Sequence, residues 1–86
     1  MKVTNLTSPQ GNAVPNQFII ESEDKTVFQS YKSVICVKQN GTVTLDKKYW
    51  DYSTTTGKYR NMFLGETKKE TQAKIDKGIY KLADLN

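Results

Sequence analysis

The sequence has no histidine and a single cysteine, and both limits restrict its chemistry. Without histidine, neither a Ser-His-Asp nor a Cys-His catalytic arrangement can form. One cysteine, Cys36, excludes an intrachain disulfide and a cysteine-based zinc site. Because Cys36 lies in the apolar run Val34–Val37, we expect a buried, inert thiol. The sequence therefore predicts a protein that is not an enzyme.

Long apolar runs are also missing from the chain. No segment approaches the roughly 18 consecutive apolar residues of a membrane-spanning helix, and residues 1–6 lack the apolar centre of a signal peptide. Gly41 and Gly57 stand alone rather than in a phosphate-cradling loop, and Asp46 and Asp51 lack the spacing of a calcium loop. We therefore expect a cytoplasmic protein with no metal, no cofactor and no membrane partner.

Basic residues are concentrated in the second half of the chain. Residues 1–46 carry four Lys against four acids, whereas residues 47–86 carry eight Lys and one Arg against five acids and supply the whole net charge of +4. A basic half favours an acidic partner, such as nucleic acid, an anionic surface or an acidic protein. The alternative is a lysine-rich helix that is simply solvated.

The length of 86 residues predicts a single domain over residues 1–86. Residues 1–16 are predicted to form a short strand, Lys2–Asn5, and a loop over residues 6–16 that holds both prolines. Residues 17–46 are rich in β-branched and aromatic residues and predict two β-hairpins. The first joins Gln17–Ser22 to Thr26–Tyr31, and the second joins Ser33–Lys38 to Thr42–Asp46 through an Asn40-Gly41 type I′ turn.

In residues 47–86 the apolar spacing changes from that of a strand to that of a helix. A first helix is predicted between an N-cap at Asp51 or Ser53 and a C-terminal Gly65, with Tyr59, Met62 and Phe63 as its apolar stripe. A second helix is predicted between a capping box at Thr67 and Glu70 and a C-terminal Gly78. Ile79–Leu82 is predicted to form a terminal strand. They complete an α+β fold, with an antiparallel β-meander of about four or five strands and one or two helices from the C-terminal half packed on one face.

The segment from Lys47 to Lys69 combines cations with aromatic rings, a composition that can bind nucleic acid. The candidate phosphate contacts are Lys47, Lys48, Lys58, Arg60, Lys68 and Lys69, and the candidate stacking rings are Trp50, Tyr52 and Tyr59. A small domain also needs large residues in its core, which favours a structural role for Trp50 and Tyr59. Lys58 and Arg60 flank the helical stripe, so we expect both cations to point away from the core.

Two further hypotheses use the same residues. In the second, Trp50, Tyr52 and Arg60 form a contact patch of a protein-binding module, because Tyr, Trp and Arg are the usual anchors of protein interfaces. In the third, the edge strands of the sheet pair between two chains and make a homodimer or a component of a larger assembly. Nucleic acid, DNA or RNA, is the partner that the basic segment favours.

Several segments of the chain resemble small uncharacterised proteins of tailed bacteriophages that infect gut bacteria, including crAss-like phages. The resemblance covers most of the chain from Val14 onward and is carried by Asn16-Gln17-Phe18, Phe28-Gln29-Ser30-Tyr31, Tyr49–Ser53, Thr55–Arg60, Phe63–Glu66 and Lys69-Glu70-Thr71. It implies a phage accessory protein made in the cytoplasm of a bacterial host, where small basic domains bind nucleic acid or modulate a host or defence protein. It assigns no catalytic or binding residue to this chain.

Overall fold

The computed structural model describes residues 1–86 and contains one six-stranded sheet and two helices. In chain order the elements are β1 (Lys2–Thr7), β2 (Ala13–Glu21), β3 (Lys25–Ser30), β4 (Ser33–Gln39), β5 (Thr42–Asp46), α1 (Thr54–Leu64), α2 (Lys68–Asp76) and β6 (Lys81–Ala83). The strands follow one another across the sheet, antiparallel except for the parallel β5–β6 pair. The predicted α+β class is confirmed, but the sheet has six strands rather than four or five.

The β1–β2 hairpin is longer than the sequence predicts. The expected loop over residues 6–16 shrinks to residues 8–12, because β1 continues to Thr7 and β2 begins at Ala13. Pro15 lies inside β2, where the register shifts and the next residue, Asn16, has a φ of 64°. A bulge tolerates proline because the ladder is already interrupted there. The side-chain amide of Asn5 donates to the carbonyl of Val14 at 2.8 Å and holds the irregular stretch.

The two predicted hairpins of residues 17–46 are confirmed. Asn40 and Gly41 have φ values of 53° and 75°, as a type I′ turn requires at both central positions. This turn fixes the register so that Gln39 pairs with Thr42 and Cys36 pairs with Leu45. Strand β4 therefore lies inside the sheet, between β3 and β5.

The core lies between one face of the sheet and the helices. Phe28, Ile35, Cys36 and Leu45 are fully buried and form its centre. Phe63 of α1 stacks on Phe28 with ring centroids 5.7 Å apart. Trp50, Tyr59 and Ile75 are among the half-buried side chains packed against this centre. Burial also raises the pKa of the Cys36 thiol to about 12, because a thiolate is poorly solvated inside an apolar core.

Both helices begin and end at the residues that the sequence indicates. Ser53 caps α1 by accepting a hydrogen bond from the backbone N–H of Thr56 at 3.1 Å, and Gly65 ends the helix in the left-handed conformation. Thr67 and Glu70 form the predicted capping box of α2. The predicted apolar stripe of α1 is wrong in one member, because Met62 is exposed whereas Phe63 packs on the core. Neither helix is long and apolar enough to cross a membrane.

Asp46, at the end of β5, holds the C-terminal tail against the sheet. Its carboxylate accepts hydrogen bonds from the backbone N–H groups of Lys48 at 3.0 Å, Tyr49 at 2.8 Å and Leu85 at 2.8 Å. Burial alone raises the pKa of Asp46, but these donors outweigh it and hold the pKa below its usual value. The predicted terminal strand therefore forms, displaced to Lys81–Ala83.

A second buried carboxylate, Glu66, joins the loop after α1 to α2. It accepts hydrogen bonds from the ammonium of Lys74 at 2.7 Å, from the hydroxyl of Tyr80 at 2.7 Å and from the hydroxyl of Thr71. Burial raises the pKa of Glu66, and the Lys74, Thr71 and Tyr80 donors lower it further than burial raises it. This network holds the loop after α1 against α2 and against the segment that follows α2, because one carboxylate binds Thr71, Lys74 and Tyr80.

Candidate nucleic-acid interface

An open cleft of about 660 Å³ lies in front of the first turn of α1. Eight of the nine residues that line it are polar, charged or glycine. They are Asp51, Tyr52, Ser53, Thr54, Gly57, Lys58, Arg60, Asn61 and Lys68. Three cations, Lys58, Arg60 and Lys68, and one carboxylate, Asp51, line the cleft and give it a net positive charge. Tyr52, Lys58, Arg60 and Lys68, four of the nine candidate nucleic-acid-binding residues, meet here.

Arg60 forms the floor of the cleft rather than a protruding cation. Its side chain is 1% exposed, so the expectation that it points into solvent is wrong. One terminal nitrogen donates to the carbonyl of Trp50 at 2.6 Å and to the carboxylate of Asp51 at 3.2 Å, and the other donates to the amide oxygen of Asn61 at 2.9 Å. The guanidinium also lies 5.1 Å from the Trp50 ring centre, within cation–π range. Arg60 therefore joins the loop before α1 to the helix.

Asp51 links the buried arginine to the second helix. Its carboxylate lies 3.2 Å from Arg60 and 2.6 Å from the ammonium of Lys68, the first residue of α2. Burial raises the pKa of Asp51, but hydrogen bonds from Lys68 and Arg60 outweigh that effect and hold the pKa below its usual value. Asp51 is therefore ionised at neutral pH and neutralises part of the cation charge at the cleft.

Tyr52 and Lys58 face solvent at the cleft, as do Thr54 and Lys68. The Tyr52 side chain is 47% exposed, and its ring meets Tyr49 edge to face at 5.4 Å, which restricts its motion. Lys58 is exposed on the next turn of α1, with its ammonium 5.3 Å from the ring centre of Tyr59. An exposed ring that is held by a neighbour can stack on a base, and an exposed ammonium can neutralise a phosphate.

The start of α1 was not among the predicted site residues. Thr54 and Thr55 are exposed at this point, and backbone N–H groups in a first helical turn have no carbonyl partner within the helix. Such N–H groups attract anions, aided by the helix dipole. The N-cap signal at Ser53, directly after Tyr52, was the feature of the sequence from which this position could have been recognised.

The remaining predicted residues lie outside the cleft. Lys47, Lys48 and Lys69 are exposed but do not line it. Trp50 packs against the core and beneath Arg60, so its ring is not free to stack on a base. Tyr59 also packs against the core. Both placements agree with the structural alternative for these two rings.

Two lysines outside the cleft make contacts within the fold. Lys38 donates to the carbonyl of Phe63 at 2.7 Å and lies 4.3 Å from the centre of that ring. Lys74 is paired with Glu66 at 2.7 Å. The cations available to a polyanion are therefore fewer than the composition suggests.

Comparison with curated proteins and with solved structures finds no match to this chain. A family profile, in contrast, matches residues 1–79, from β1 to the turn after α2. That range covers the cleft and most of the sheet. The chain therefore belongs to a family of unknown function, DUF8033.

Proposed function

We propose that this protein is a non-enzymatic nucleic-acid-binding protein that holds a short single-stranded segment at the cleft in front of α1. The observation that supports it is the meeting of an exposed ring, Tyr52, with the ammonium groups of Lys58 and Lys68 around one open cleft. The phage resemblance supports the further proposal of an accessory protein that acts in the cytoplasm of a bacterial host.

In this proposal each group has a separate task. Tyr52 stacks on one base, an interaction worth about 1–3 kcal/mol per base. Lys58 and Lys68 contact the phosphates on either side, and the free N–H groups of Thr54 and Thr55 donate hydrogen bonds to a third negatively charged oxygen. None of these contacts reads a base edge, so binding is independent of sequence.

Two phosphate contacts set the expected dependence on salt. For a single strand, the slope of log K against log salt concentration is about −0.7 per neutralised phosphate, or roughly −1.4 for two. Affinity should then fall about sevenfold between about 50 and 200 mM salt. A protein that binds as a diffuse lysine-rich surface would show a steeper fall.

The test compares two double variants with equal loss of charge. Lys58→Gln with Lys68→Gln removes both ammonium groups from the cleft, whereas Lys32→Gln with Lys77→Gln removes two exposed lysines elsewhere. Fluorescence anisotropy with a labelled single-stranded oligonucleotide at about 50 and 200 mM salt gives the slope for each. We expect the cleft variant to lose most of the slope and the control to keep it.

Equal weakening by both double variants would contradict a localised site. A third variant, Tyr52→Leu, separates stacking from charge, because it should weaken binding at both salt concentrations by the same factor. Absence of binding at low salt would reject the nucleic-acid proposal and leave the protein-binding hypothesis for the same surface.

A further inference from the structure

Tyr31 has a backbone conformation that its side chain does not favour. It follows Ser30 in the short turn that the Ser30–Ser33 pair closes between β3 and β4, and its φ is 55°. Every other residue of this chain with a positive φ is Asn or Gly, the residue types that adopt this conformation most readily. A bulky ring at such a position is an outlier. The turn itself therefore gives no reason for a tyrosine.

The backbone of Tyr31 is held in place on both sides. Its N–H donates to the carbonyl of Asn16 at 2.7 Å, and its carbonyl accepts a hydrogen bond from the side-chain amide of Gln29 at 2.8 Å. Tyr31 is nevertheless 51% exposed, so its ring is presented to solvent from a fixed support. Residues held in unfavourable backbone conformations by their surroundings cluster at binding sites. An exposed aromatic ring is also a group on which a nucleic-acid base can stack.

Helix α1 begins at the end of the sheet where Tyr31 lies. The hydroxyl of Ser30, the last residue of β3, is 2.9 Å from the hydroxyl of Thr56 in the first turn of α1. Phe28, two residues earlier in β3, stacks on Phe63 near the end of α1. The helix therefore runs back along β3 from the Tyr31 end, and the cleft in front of its first turn lies at that same end of the molecule.

These contacts limit the distance between the two exposed rings, Tyr31 and Tyr52. Tyr31 adjoins Ser30, Ser30 contacts Thr56, and Ser53 caps the turn at Thr56 and adjoins Tyr52. With Cα atoms about 3.8 Å apart along the chain, the Cα atoms of Tyr31 and Tyr52 are at most about 20 Å apart. A single strand with about 3.4 Å or more between successive phosphates covers this distance with about six nucleotides or fewer.

We propose that Tyr31 is a second stacking site for nucleic acid, so that one single strand runs from Tyr52 over the start of α1 to Tyr31. This inference rests on the proposed function of the cleft and adds a dependence on strand length to it. Stacking tolerates any base, because every base has a π-face. Since the ring of Tyr31 carries no charge, the second site leaves the salt dependence set by Lys58 and Lys68 unchanged.

Oligothymidylates of two lengths test the second site. A strand of about eight nucleotides reaches both rings, whereas a trinucleotide occupies the cleft alone. We expect Tyr31→Leu to weaken binding of the longer strand at least about fivefold, as the loss of one stacked base requires, and to leave binding of the trinucleotide unchanged. Tyr52→Leu is the matched comparison, because it should weaken binding of both lengths.

Tyr31→Asn separates the role of the ring in binding from its effect on the fold. Asn suits a positive φ, so this variant should raise the Tm by a few degrees while it weakens binding of the longer strand as much as Tyr31→Leu does. In NMR spectra of the wild type, the ring resonances of Tyr31 should shift when the longer strand is added and stay in place when the trinucleotide is added.

The outcomes distinguish this inference from the proposed function. If the wild type binds both lengths and both Tyr31 variants bind the longer strand as tightly as the wild type, the second site is overturned and the cleft remains. Equal weakening of both lengths by Tyr31→Leu would also overturn it, because Tyr31 would then not form a separate site. If the wild type binds neither length at low salt, the proposed function fails and this inference fails with it.

Discussion

Replacing Arg60 tests whether a buried cation holds the fold together at the cleft. Arg60→Ala removes the donor to the Trp50 carbonyl, the partner of Asp51 and the side chain that fills the space above the Trp50 ring. Breaking a buried ion pair costs about 3–5 kcal/mol, and leaving a buried carbonyl without a donor accounts for about 1–3 kcal/mol of it. Asp51 keeps Lys68 as a partner, so we expect the lower end, about 3 kcal/mol.

Thermal unfolding followed by circular dichroism measures this loss. For a domain of this size, about 3 kcal/mol lowers the Tm by at least about 12 °C. The Tm of Arg60→Lys should lie between those of the wild type and Arg60→Ala. An ammonium keeps the positive charge but cannot donate hydrogen bonds to Trp50, Asp51 and Asn61 together, as the planar guanidinium does.

Lys58→Ala is the matched control for this experiment. It lies on the same helix two residues earlier and is exposed, so its effect should stay within about 0.5 kcal/mol. If Arg60→Ala unfolds at the same temperature as Lys58→Ala, the guanidinium does not stabilise the fold as described, and Arg60 is again a candidate phosphate contact.

Three further predictions follow from the carboxylates and the thiol. Asp51→Asn should bind an oligonucleotide several-fold more tightly at low salt, because it removes the carboxylate that lines the cleft, while also lowering the Tm; unchanged affinity would place the phosphate elsewhere. The free energy of unfolding should fall as the pH drops below about 4, because the pKa values of Asp46 and Glu66 are lower in the folded than in the unfolded protein. The stability that these ionised carboxylates contribute is present above the unfolded pKa and is lost when they are protonated. Urea titrations from about pH 7 to 2 measure this dependence, and a flat profile would contradict it. Cys36 should not react with a thiol reagent at about pH 8 until the protein unfolds, and fast labelling of the native state would show that the thiol is accessible.

The parts of the fold that the sequence predicted are those fixed by local chemistry. The turn at Asn40 and Gly41 needs two positive φ angles, and few residues other than Asn and Gly adopt them. The caps at Ser53 and Thr67 depend on groups within three residues of each other. Such signals are short and self-contained, so they do not depend on where the chain lies in space.

The parts that were missed depend on contacts between distant segments. Pro15 indicated a loop, but the bulge in β2 accommodates it within a strand. The terminal strand, predicted at Ile79–Leu82, lies instead at Lys81–Ala83, where Asp46 binds the backbone N–H of Leu85, 39 residues away. The burial of Arg60 depends on the Trp50 carbonyl, which the loop before α1 brings into reach. No local pattern of residues shows that an arginine beside a helical stripe has such a partner.

The location of the cleft also depends on contacts between segments that are distant in the sequence. Tyr52, Lys58 and Lys68 span three different elements or loops, and they meet because Asp51 pairs with Lys68 at the start of α2. Composition alone gave the basic segment but did not separate these residues from Lys47, Lys48 and Lys69, which are equally exposed. The geometry of the cleft, rather than the charge of the segment, restricts the proposed site to Tyr52, Lys58 and Lys68.

The most direct test of nucleic-acid binding at the cleft is an NMR titration of the labelled protein with a short oligothymidylate. We predict that the backbone amide resonances of Tyr52, Thr54 and Thr55 shift most and saturate together, while those of Lys32 and Lys77 stay in place. Shifts spread evenly over the exposed lysines, or no shift at low salt, would contradict the proposal that this cleft binds a single strand.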